Sequence, residues 1–172
     1  NSCIIYNDPR RFGLIDLVKK NKIKEHKMIK NLGLEPLTKE FSTEYLQTKL
    51  RDKKMNIKTT MMDNRVVVGV GNIYINESLF RSGILPTRSA GSLTLNQLNN
   101  LVSNIKFILN KAIRLGGSTL KDYVDLHGNV GEFQFNFMVY GRENKECLVC
   151  GSLIKKIKQN GRSSFYCLEC QS

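Results

Sequence analysis

Four cysteines near the end of the chain have the spacing of a metal site. Cys147 and Cys150 form one C-x-x-C pair, Cys167 and Cys170 form another, and sixteen residues separate the pairs. Each C-x-x-C turn directs two thiolates at one point, and a hairpin between the turns would bring four sulfurs together as a tetrahedron. The spacing therefore predicts one structural Zn²⁺. Two disulfides and an iron–sulfur cluster are the alternatives, and the lack of a secretory signal disfavours the disulfides.

A tight turn between the two cysteine pairs presents an arginine. Asn160-Gly161 is a strong signal for a two-residue β-hairpin turn, and Arg162 follows it directly. A guanidinium held at the tip of a rigid hairpin suits a phosphate group. An ordinary solvated arginine is equally compatible with the charge alone. Three lysines precede the turn on the same predicted strand: Lys155, Lys156 and Lys158.

The stretch GVGNIY at residues 69–74 combines two glycines with an asparagine. It resembles part of a dinucleotide-binding fingerprint, but Tyr74 occupies the third glycine position and no βαβ unit surrounds it. We instead expect the glycines to let another molecule approach the backbone. Asn72 is expected to begin a helix, where exposed N–H groups bind phosphate. A tight turn that only packs would use the same residues, and the motif alone does not decide.

The charge of the chain indicates a polyanionic partner. The formal net charge is +12 over 172 residues, and the basic residues are spread along the chain. Nucleic acid is the first candidate. An anionic membrane is the second, but no basic amphipathic helix stands out and no apolar run approaches the roughly 20 residues of a membrane span. A hydrophobic content of 41% and a charged content of 24% are typical of a folded globular chain.

Local patterns predict the elements that position these residues. Residues 1–20 are predicted to form two strands joined by a basic loop. Thr38 is predicted to cap a first helix, and a short helix is expected at residues 57–62. A third helix follows the glycine–asparagine turn. Thr94 and Gln97 form a capping-box pattern that begins the clearest helix of the chain.

Together the motifs resemble the bacterial formamidopyrimidine-DNA glycosylase family, which removes oxidised purines such as 8-oxoguanine. The resemblance covers nearly the whole chain, and the matching segments occur in the family's order. GGSTLKDY and RSSFYC-x-x-C look more like the oxidised-purine branch than the related endonuclease VIII branch. The matching segments are DPRRFG, VVVGVGNIYINESLF, GILPTR, GGSTLKDY, FMVYGR and the terminal cysteine region.

The resemblance implies a mainly α fold in three parts. Residues 1–30 would be the terminal strands of a truncated β-sandwich catalytic domain with a connector. Residues 31–133 would form a helix–two-turn–helix DNA-binding domain, whose residues 118–133 match the loop that closes over the flipped base. Residues 134–172 would form a β-hairpin zinc finger.

The resemblance also implies roles for five residues in binding DNA. Asn72 matches the family's phosphate-binding asparagine, and Arg162 matches the zinc-finger arginine on the phosphates beside the lesion. Lys58 matches a lysine near the same phosphates. Arg10 would face the orphaned cytosine and Phe12 would wedge the neighbouring stack, offsetting the cost of unstacking a flipped base.

The function implied is base-excision repair of duplex DNA, with release of the oxidised purine and β,δ-elimination at the abasic site. The family's nucleophile is an N-terminal proline followed by glutamate, and this chain has neither, so we expect no catalytic residue here and no activity from this chain alone. The expected protein is a bacterial, cytoplasmic, nucleoid-associated monomer with one Zn²⁺ and no membrane partner.

Three other functions are compatible with parts of the sequence. A non-enzymatic module could keep the same fold to bind damaged or abasic DNA, and the endonuclease VIII branch would act on oxidised pyrimidines. A generic zinc-ribbon partner protein ranks last, because it must treat DPRRFG and GVGNIY as coincidence.

Overall fold

The computed structural model describes residues 3–8, 11–118 and 130–172. The chain divides into two compact units, Asn1–Asn31 and Leu32–Ser172. Within the described residues, no helix is both long and apolar enough to cross a membrane.

The described residues of the first unit do not form the two strands predicted for residues 1–20. Its described residues form a single short 3-10 helix, Lys20–Glu25, and no strand. A strand needs a hydrogen-bonded neighbour and a buried face, which this unit does not supply. Ile4 and Leu17, from the two predicted strands, are 94% and 98% exposed. Alternating apolar residues alone therefore do not produce strands here.

Four α-helices and a two-stranded sheet make up the described part of the second unit. Two 3-10 helices accompany them, at Ala90–Ser92 and Phe133–Asn136. The main elements are α1 (Thr43–Leu50), α2 (Ile57–Met61), α3 (Asn72–Arg81), α4 (Leu95–Arg114), β1 (Lys155–Gln159) and β2 (Arg162–Tyr166).

The first helix begins later than the sequence predicts. Ser42, not Thr38, caps α1, because the Ser42 hydroxyl accepts a hydrogen bond from the Tyr45 N–H at 3.2 Å. The Thr38 hydroxyl instead donates to the Glu35 carbonyl at 2.9 Å and closes a turn. A threonine engaged as a turn donor has no role in capping the helix that follows.

The longest helix, α4, follows its predicted signals closely. Thr94 and Gln97 form the reciprocal capping box, and the helix ends at Arg114, shortly before Gly116 and Gly117, whose φ angles are +68° and +88°. Its apolar face packs with α1, α2 and α3 into the main core. Fully buried members of this core include Phe41, Leu46, Ile57, Met61, Ile75, Leu79, Leu101 and Ile105.

The predicted hairpin is present between the cysteine pairs. β1 and β2 are antiparallel, with Gln159 opposite Arg162 across the turn. Asn160 and Gly161 both have positive φ angles, +45° and +76°, as a type I′ turn requires. The turn thus places Arg162 at the first position of β2.

The hairpin does not form its small core alone. A second apolar cluster joins Phe80 of α3 and Val139 to residues of the cysteine-anchored segment: Cys147, Ile154, Phe165 and Cys167. A chain of tilted ring contacts leads into the same cluster, from Tyr74 through Phe133, Phe137 and Tyr140 to Phe165. Helix α3 is therefore the element against which the hairpin is placed.

Candidate metal centre and nucleic-acid interface

The four predicted cysteine ligands meet at one point. All four Sγ atoms lie within 4.8 Å of one another. The Sγ atoms of Cys147 and Cys170 are 3.8 Å apart, and those of Cys150 and Cys167 are 3.4 Å apart. These separations are far longer than the roughly 2.05 Å of a disulfide. Sulfurs bound to one Zn²⁺ at about 2.3 Å lie about 3.8 Å apart in a tetrahedron, so the donor set fits a structural zinc ion.

Two backbone turns hold the thiolates in place. The Gly151 N–H donates to the Cys147 carbonyl at 2.9 Å, and the Gln171 N–H donates to the Cys167 carbonyl at 3.2 Å. The Gln171 side chain also accepts from the Cys167 N–H at 2.9 Å and donates to the Ile84 carbonyl at 2.7 Å. The second knuckle is thereby bonded to the loop after α3, which ties the metal centre to the helices.

A buried lysine points at the hairpin from α2. Asn56 caps this short helix by accepting from the Thr59 N–H at 2.8 Å, which fixes the turn carrying Lys58. Lys58 is only 1% exposed, and its Nζ donates to the Ser163 carbonyl at 2.8 Å. Burial, and then the nearby charge of Arg162, lower the pKa of Lys58 to about 8.

The start of α3 reaches the same carbonyl group. The Asn72 side-chain Nδ2 donates to the Ser163 oxygen at 3.2 Å. The backbone before it is open, since a Cβ built at Gly69 or Gly71 would meet no atom within 4 Å. Gly69 has a φ of +75°, so a glycine suits the approach to the helix. Lys58, Asn72 and Arg162, predicted from separate motifs, thus converge on one segment of β2.

A cleft of about 660 Å³ opens beside the hairpin tip. Arg162, at its edge, is solvent-exposed. The acidic group in the cleft, Asp63, is paired with Arg65 through an Nη2–Oδ2 distance of 2.7 Å, and that arginine lowers the pKa of Asp63. With the acid neutralised by its partner, the charge left at the cleft is positive. The cleft is lined by Met55, Asn56, Thr59, Met62, Asp63, Arg65, Gln159, Asn160 and Arg162.

The roles of two further residues and one loop stay predictions. Arg10 lies outside the described residues, and Phe12 is an exposed residue of the first unit. Residues 119–129 of the predicted lesion loop also lie outside the described residues. The ends of that loop are joined by an antiparallel bridge between Ser118 and Glu132.

The sequence motifs missed two of the side chains that hold the hairpin on α3. Asn76 is 1% exposed; its Oδ1 accepts from the Phe165 N–H and its Nδ2 donates to the Asn72 carbonyl, both at 2.7 Å. Gln171 belongs to no predicted site either. The only local signal for Asn76 is its place one helical turn after Asn72, and its partner Phe165 lies 89 positions further along the chain.

Glu77, interpreted from the sequence as structural, is fully buried. Its carboxylate accepts three backbone N–H groups, from Met138, Val139 and Tyr140, at 2.8–3.0 Å. Burial raises the pKa of Glu77, and the three N–H groups oppose that rise. This carboxylate fixes the chain entering the zinc-binding segment and has no exposed surface on which to meet a ligand.

Family models and curated proteins match this chain along its length. A model for the formamidopyrimidine-DNA glycosylase H2TH domain matches residues 32–124, and one for a zinc finger found in FPG and IleRS matches residues 144–172. The formamidopyrimidine-DNA glycosylase of Wolbachia pipientis wMel is 52% identical over 172 residues, which is 100% of this chain and 63% of that protein. That of Bartonella quintana strain Toulouse is 47% identical over 98% of this chain and 60% of its own length. The chain thus spans less than two thirds of these relatives.

Solved structures of proteins from the same family are also similar to this chain. The MutM (FPG) protein of Thermus thermophilus has a TM-score of 0.88 and 37% identity, covering 95% of this chain and 62% of that one. A Lactococcus lactis FPG mutant in complex with DNA containing Fapy-dG has a TM-score of 0.82 and 34% identity over 90% of this chain and 57% of its own. Lactococcus lactis Fpg with DNA containing an abasic site has a TM-score of 0.82 and 35% identity, with the same coverage.

Proposed function

Since this chain belongs to the formamidopyrimidine-DNA glycosylase family, we propose that it is the DNA-binding part of a base-excision repair enzyme. The whole enzyme would release oxidised purines, 8-oxoguanine and formamidopyrimidines, from duplex DNA and cut the strand at the abasic site by β,δ-elimination. Solved relatives hold DNA containing Fapy-dG or an abasic site, which supports this substrate class. The observation that carries the proposal is the convergence of Lys58, Asn72 and Arg162 beside a zinc-braced hairpin.

In this proposal the three residues grip the phosphates that flank the lesion. Arg162 offers an exposed fork of N–H donors, Asn72 offers an amide at a helix start, and Lys58 adds a positive charge behind them. A phosphate bound near Lys58 and Arg162 would offset the repulsion between these two cations, because its negative charge attracts both. Such contacts bind DNA of any sequence and fix the position of the duplex.

Recognition of the lesion would depend on parts of the chain beyond this cluster. We propose that Arg10 faces the cytosine left unpaired when the damaged base is flipped out, and that Phe12 fills the gap in the stack. Residues 118–133 would cover the flipped base. The remaining finer assignments follow the same proposal: residues 1–30 belong to a β-sandwich catalytic domain, residues 31–133 to the helical domain, and residues 134–172 to the zinc finger.

The chemistry would be performed by a part of the whole enzyme outside these 172 residues. A proline amine attacks the sugar carbon as the base leaves, forms a Schiff base and then promotes strand cleavage. The acidic groups Glu77 and Asp63 are not placed to assist it, since they are committed to backbone and ion-pair contacts. We propose that the enzyme works as a monomer in the bacterial cytoplasm, at the nucleoid where its substrate lies, without a membrane partner.

Borohydride trapping on a duplex containing 8-oxoguanine opposite cytosine tests this function. The full-length gene product should form a covalent DNA adduct, whereas the 172-residue chain should bind the duplex without forming one. A full-length protein that binds abasic DNA but never traps would support the non-enzymatic module instead. Excision by the 172-residue chain, after contaminating host glycosylase is excluded, would show that the nucleophile is placed wrongly.

The proposed role of Arg10 has its own test in the full-length protein. Arg10→Ala should reduce the preference for cytosine over the other bases opposite 8-oxoguanine, because the guanidinium no longer reads the orphaned base. Single-turnover excision rates with each opposing base measure this preference. Arg11→Ala is the matched control and should leave it unchanged; an unaltered preference in Arg10→Ala would remove Arg10 from the site.

A further inference from the structure

We infer that Asn76 is a positioning residue that holds the free edge of β2 on α3 and so sets where Arg162 meets phosphate. The inference rests on the proposed function and assigns to it a residue that touches no DNA. It starts from the hydrogen bonds of the hairpin.

One edge of β2 has no strand beside it in the described structure. The two-residue turn makes Gln159 and Arg162 a hydrogen-bonded pair, so the pairs formed by Ser163 and Phe165 are of the non-hydrogen-bonded kind. The backbone groups of Ser163 and Phe165 therefore face away from β1. Because Phe165 is buried, its N–H needs a partner there.

Side chains of α3 supply those partners where a third strand would. Asn72 donates to the Ser163 carbonyl at 3.2 Å, and Asn76 accepts from the Phe165 N–H at 2.7 Å. Lys58 adds a second donor to the Ser163 carbonyl. The identities of the partners fix the orientation of the Asn76 amide, since its oxygen must face an N–H and its nitrogen must face the Asn72 carbonyl.

The spacing of the two asparagines matches the strand. Four residues of α-helix rise about 6.0 Å, and two residues of β-strand rise about 6.6 Å. Asn72 and Asn76 on one face of α3 therefore lie opposite Ser163 and Phe165 along the edge of β2. A slip of the hairpin along the helix would break both contacts at once, so the pair fixes the register between the two elements.

Arg162 takes its position from this register, because it directly precedes Ser163. Glu77 and Gln171 keep the finger attached without Asn76, since they bind other parts of it. Removal of the Asn76 side chain should therefore leave the finger folded and attached, but the position of Arg162 at its tip should no longer be fixed. This separates a positioning role from a general contribution to folding.

A double-mutant cycle on DNA affinity tests the inference, using the zinc-loaded 172-residue chain and an undamaged duplex. In the wild type, Arg162→Ala should weaken binding by about tenfold. In an Asn76→Ala background, which already binds weakly, the same change should have little further effect, with one zinc per chain retained. In an Asn76→Asp background, burial favours the neutral acid, which keeps an acceptor for the Phe165 N–H and an O–H donor for the Asn72 carbonyl, so Arg162→Ala should again cost about as much as in the wild type.

A matched control lies on the other side of α3. Asn104 bridges α4 to α3 in a comparable way, accepting from Arg81 Nε and donating to Ser82 Oγ, both at 3.1 Å, and does not contact the hairpin. Asn104→Ala should leave the effect of Arg162→Ala undiminished. Equal effects of Arg162→Ala in the wild-type and Asn76→Ala backgrounds would overturn the positioning role.

Hydrogen exchange separates this inference from the proposed function. The Phe165 amide should exchange faster in Asn76→Ala, while the Ser164 and Tyr166 amides, which face β1, stay protected. Unchanged protection of Phe165 would overturn the inference whatever the DNA affinities are. Failure of the wild-type chain to bind DNA would instead count against the proposed function and end the link from Asn76 to phosphate binding.

Discussion

Lys58 is a basic residue in a buried position, where its positive charge is unfavourable. It is almost fully buried, and the charge that acts on its ammonium group, that of Arg162, has the same sign. Both effects favour the neutral amine and lower its pKa to about 8. A bound phosphate would reverse this preference, because an anion near Lys58 stabilises the ammonium. Binding of DNA should therefore be linked to uptake of a proton.

This linkage gives opposite pH dependences for binding and stability. Affinity for duplex DNA should fall as the pH rises through 8, by roughly tenfold at pH 9 if only the protonated form binds. The free chain should gain stability from Lys58 between pH 8 and its unfolded pKa near 10.5, where only the unfolded state still holds the proton. Across this pH range, fluorescence anisotropy measures the affinity for DNA and urea denaturation measures the free energy of unfolding.

Lys58→Met is the control for this titration, since it keeps a long apolar stem and loses the charge. It should bind weakly and show a flatter pH profile than the wild type. Arg162→Ala should move the midpoint of the profile upward, because the neighbouring positive charge is gone. A wild-type profile that is flat from pH 7 to 9 contradicts a functional role for the Lys58 charge.

Sequence motifs single out the individual residues of the candidate site, but not the carbonyl group that Lys58 and Asn72 share. Cys147 and Asn72 stand in short motifs whose spacing has a direct geometric meaning. Lys58 and Asn72 both donate to the Ser163 carbonyl. Ser163 lies 105 positions after Lys58 and 91 positions after Asn72. No local pattern encodes such separations, and the same reason hid Asn76.

At the scale of the elements, α3 connects the helical core to the finger. One side of it packs in the main core through Ile75 and Leu79, and the other enters the finger cluster through Phe80. Between them lies Glu77, whose carboxylate accepts three consecutive N–H groups. Helix α3 thereby fixes the position of the metal-binding segment relative to the main core.

Glu77→Gln should weaken this connection although the two side chains have the same shape. A glutamine amide has one acceptor oxygen, so its nitrogen would face a backbone N–H of Met138, Val139 or Tyr140 and leave a buried donor unpaired. We expect a loss of about 1–3 kcal/mol in the free energy of unfolding, measured by urea denaturation. Glu44→Gln, at an exposed position of α1, is the control and should change it by less than about 0.5 kcal/mol. Equal stability of the wild type and Glu77→Gln contradicts this account.

Removal of zinc should unfold the cysteine-anchored segment and leave the helices folded. Structural zinc in small domains contributes roughly 10–16 kcal/mol of apparent binding, and the finger cluster is too small to replace it. The main core contains no residue of the cysteine-anchored segment. Chelation should therefore raise hydrogen exchange first in residues 147–172, with α1 and α4 still protected. Simultaneous loss of protection in α4 would show that the helices depend on the metal.

At the scale of the whole molecule, the prediction succeeded where the signals are local and failed where they need a distant partner. The capping box at Thr94, the turn at Asn160 and the zinc pairs each specify structure within a few residues. The strands predicted for residues 1–20 require a neighbouring strand and a buried face. The described residues of the first unit form neither, and Phe12 is left 82% exposed.

The charge of the whole molecule predicts how its affinity for DNA depends on salt. With a net charge of +12, binding to a duplex should weaken steeply with salt as counterions are released from the phosphates. Arg162→Ala should weaken binding to all sequences alike and make the slope of log K against log salt shallower by about one unit, because one phosphate contact is lost. Lys49→Ala removes an equal charge from α1, outside the hairpin, and should leave the slope unchanged. If both variants shift the slope equally, the net charge of the molecule accounts for binding and the cluster at the hairpin tip has no special role.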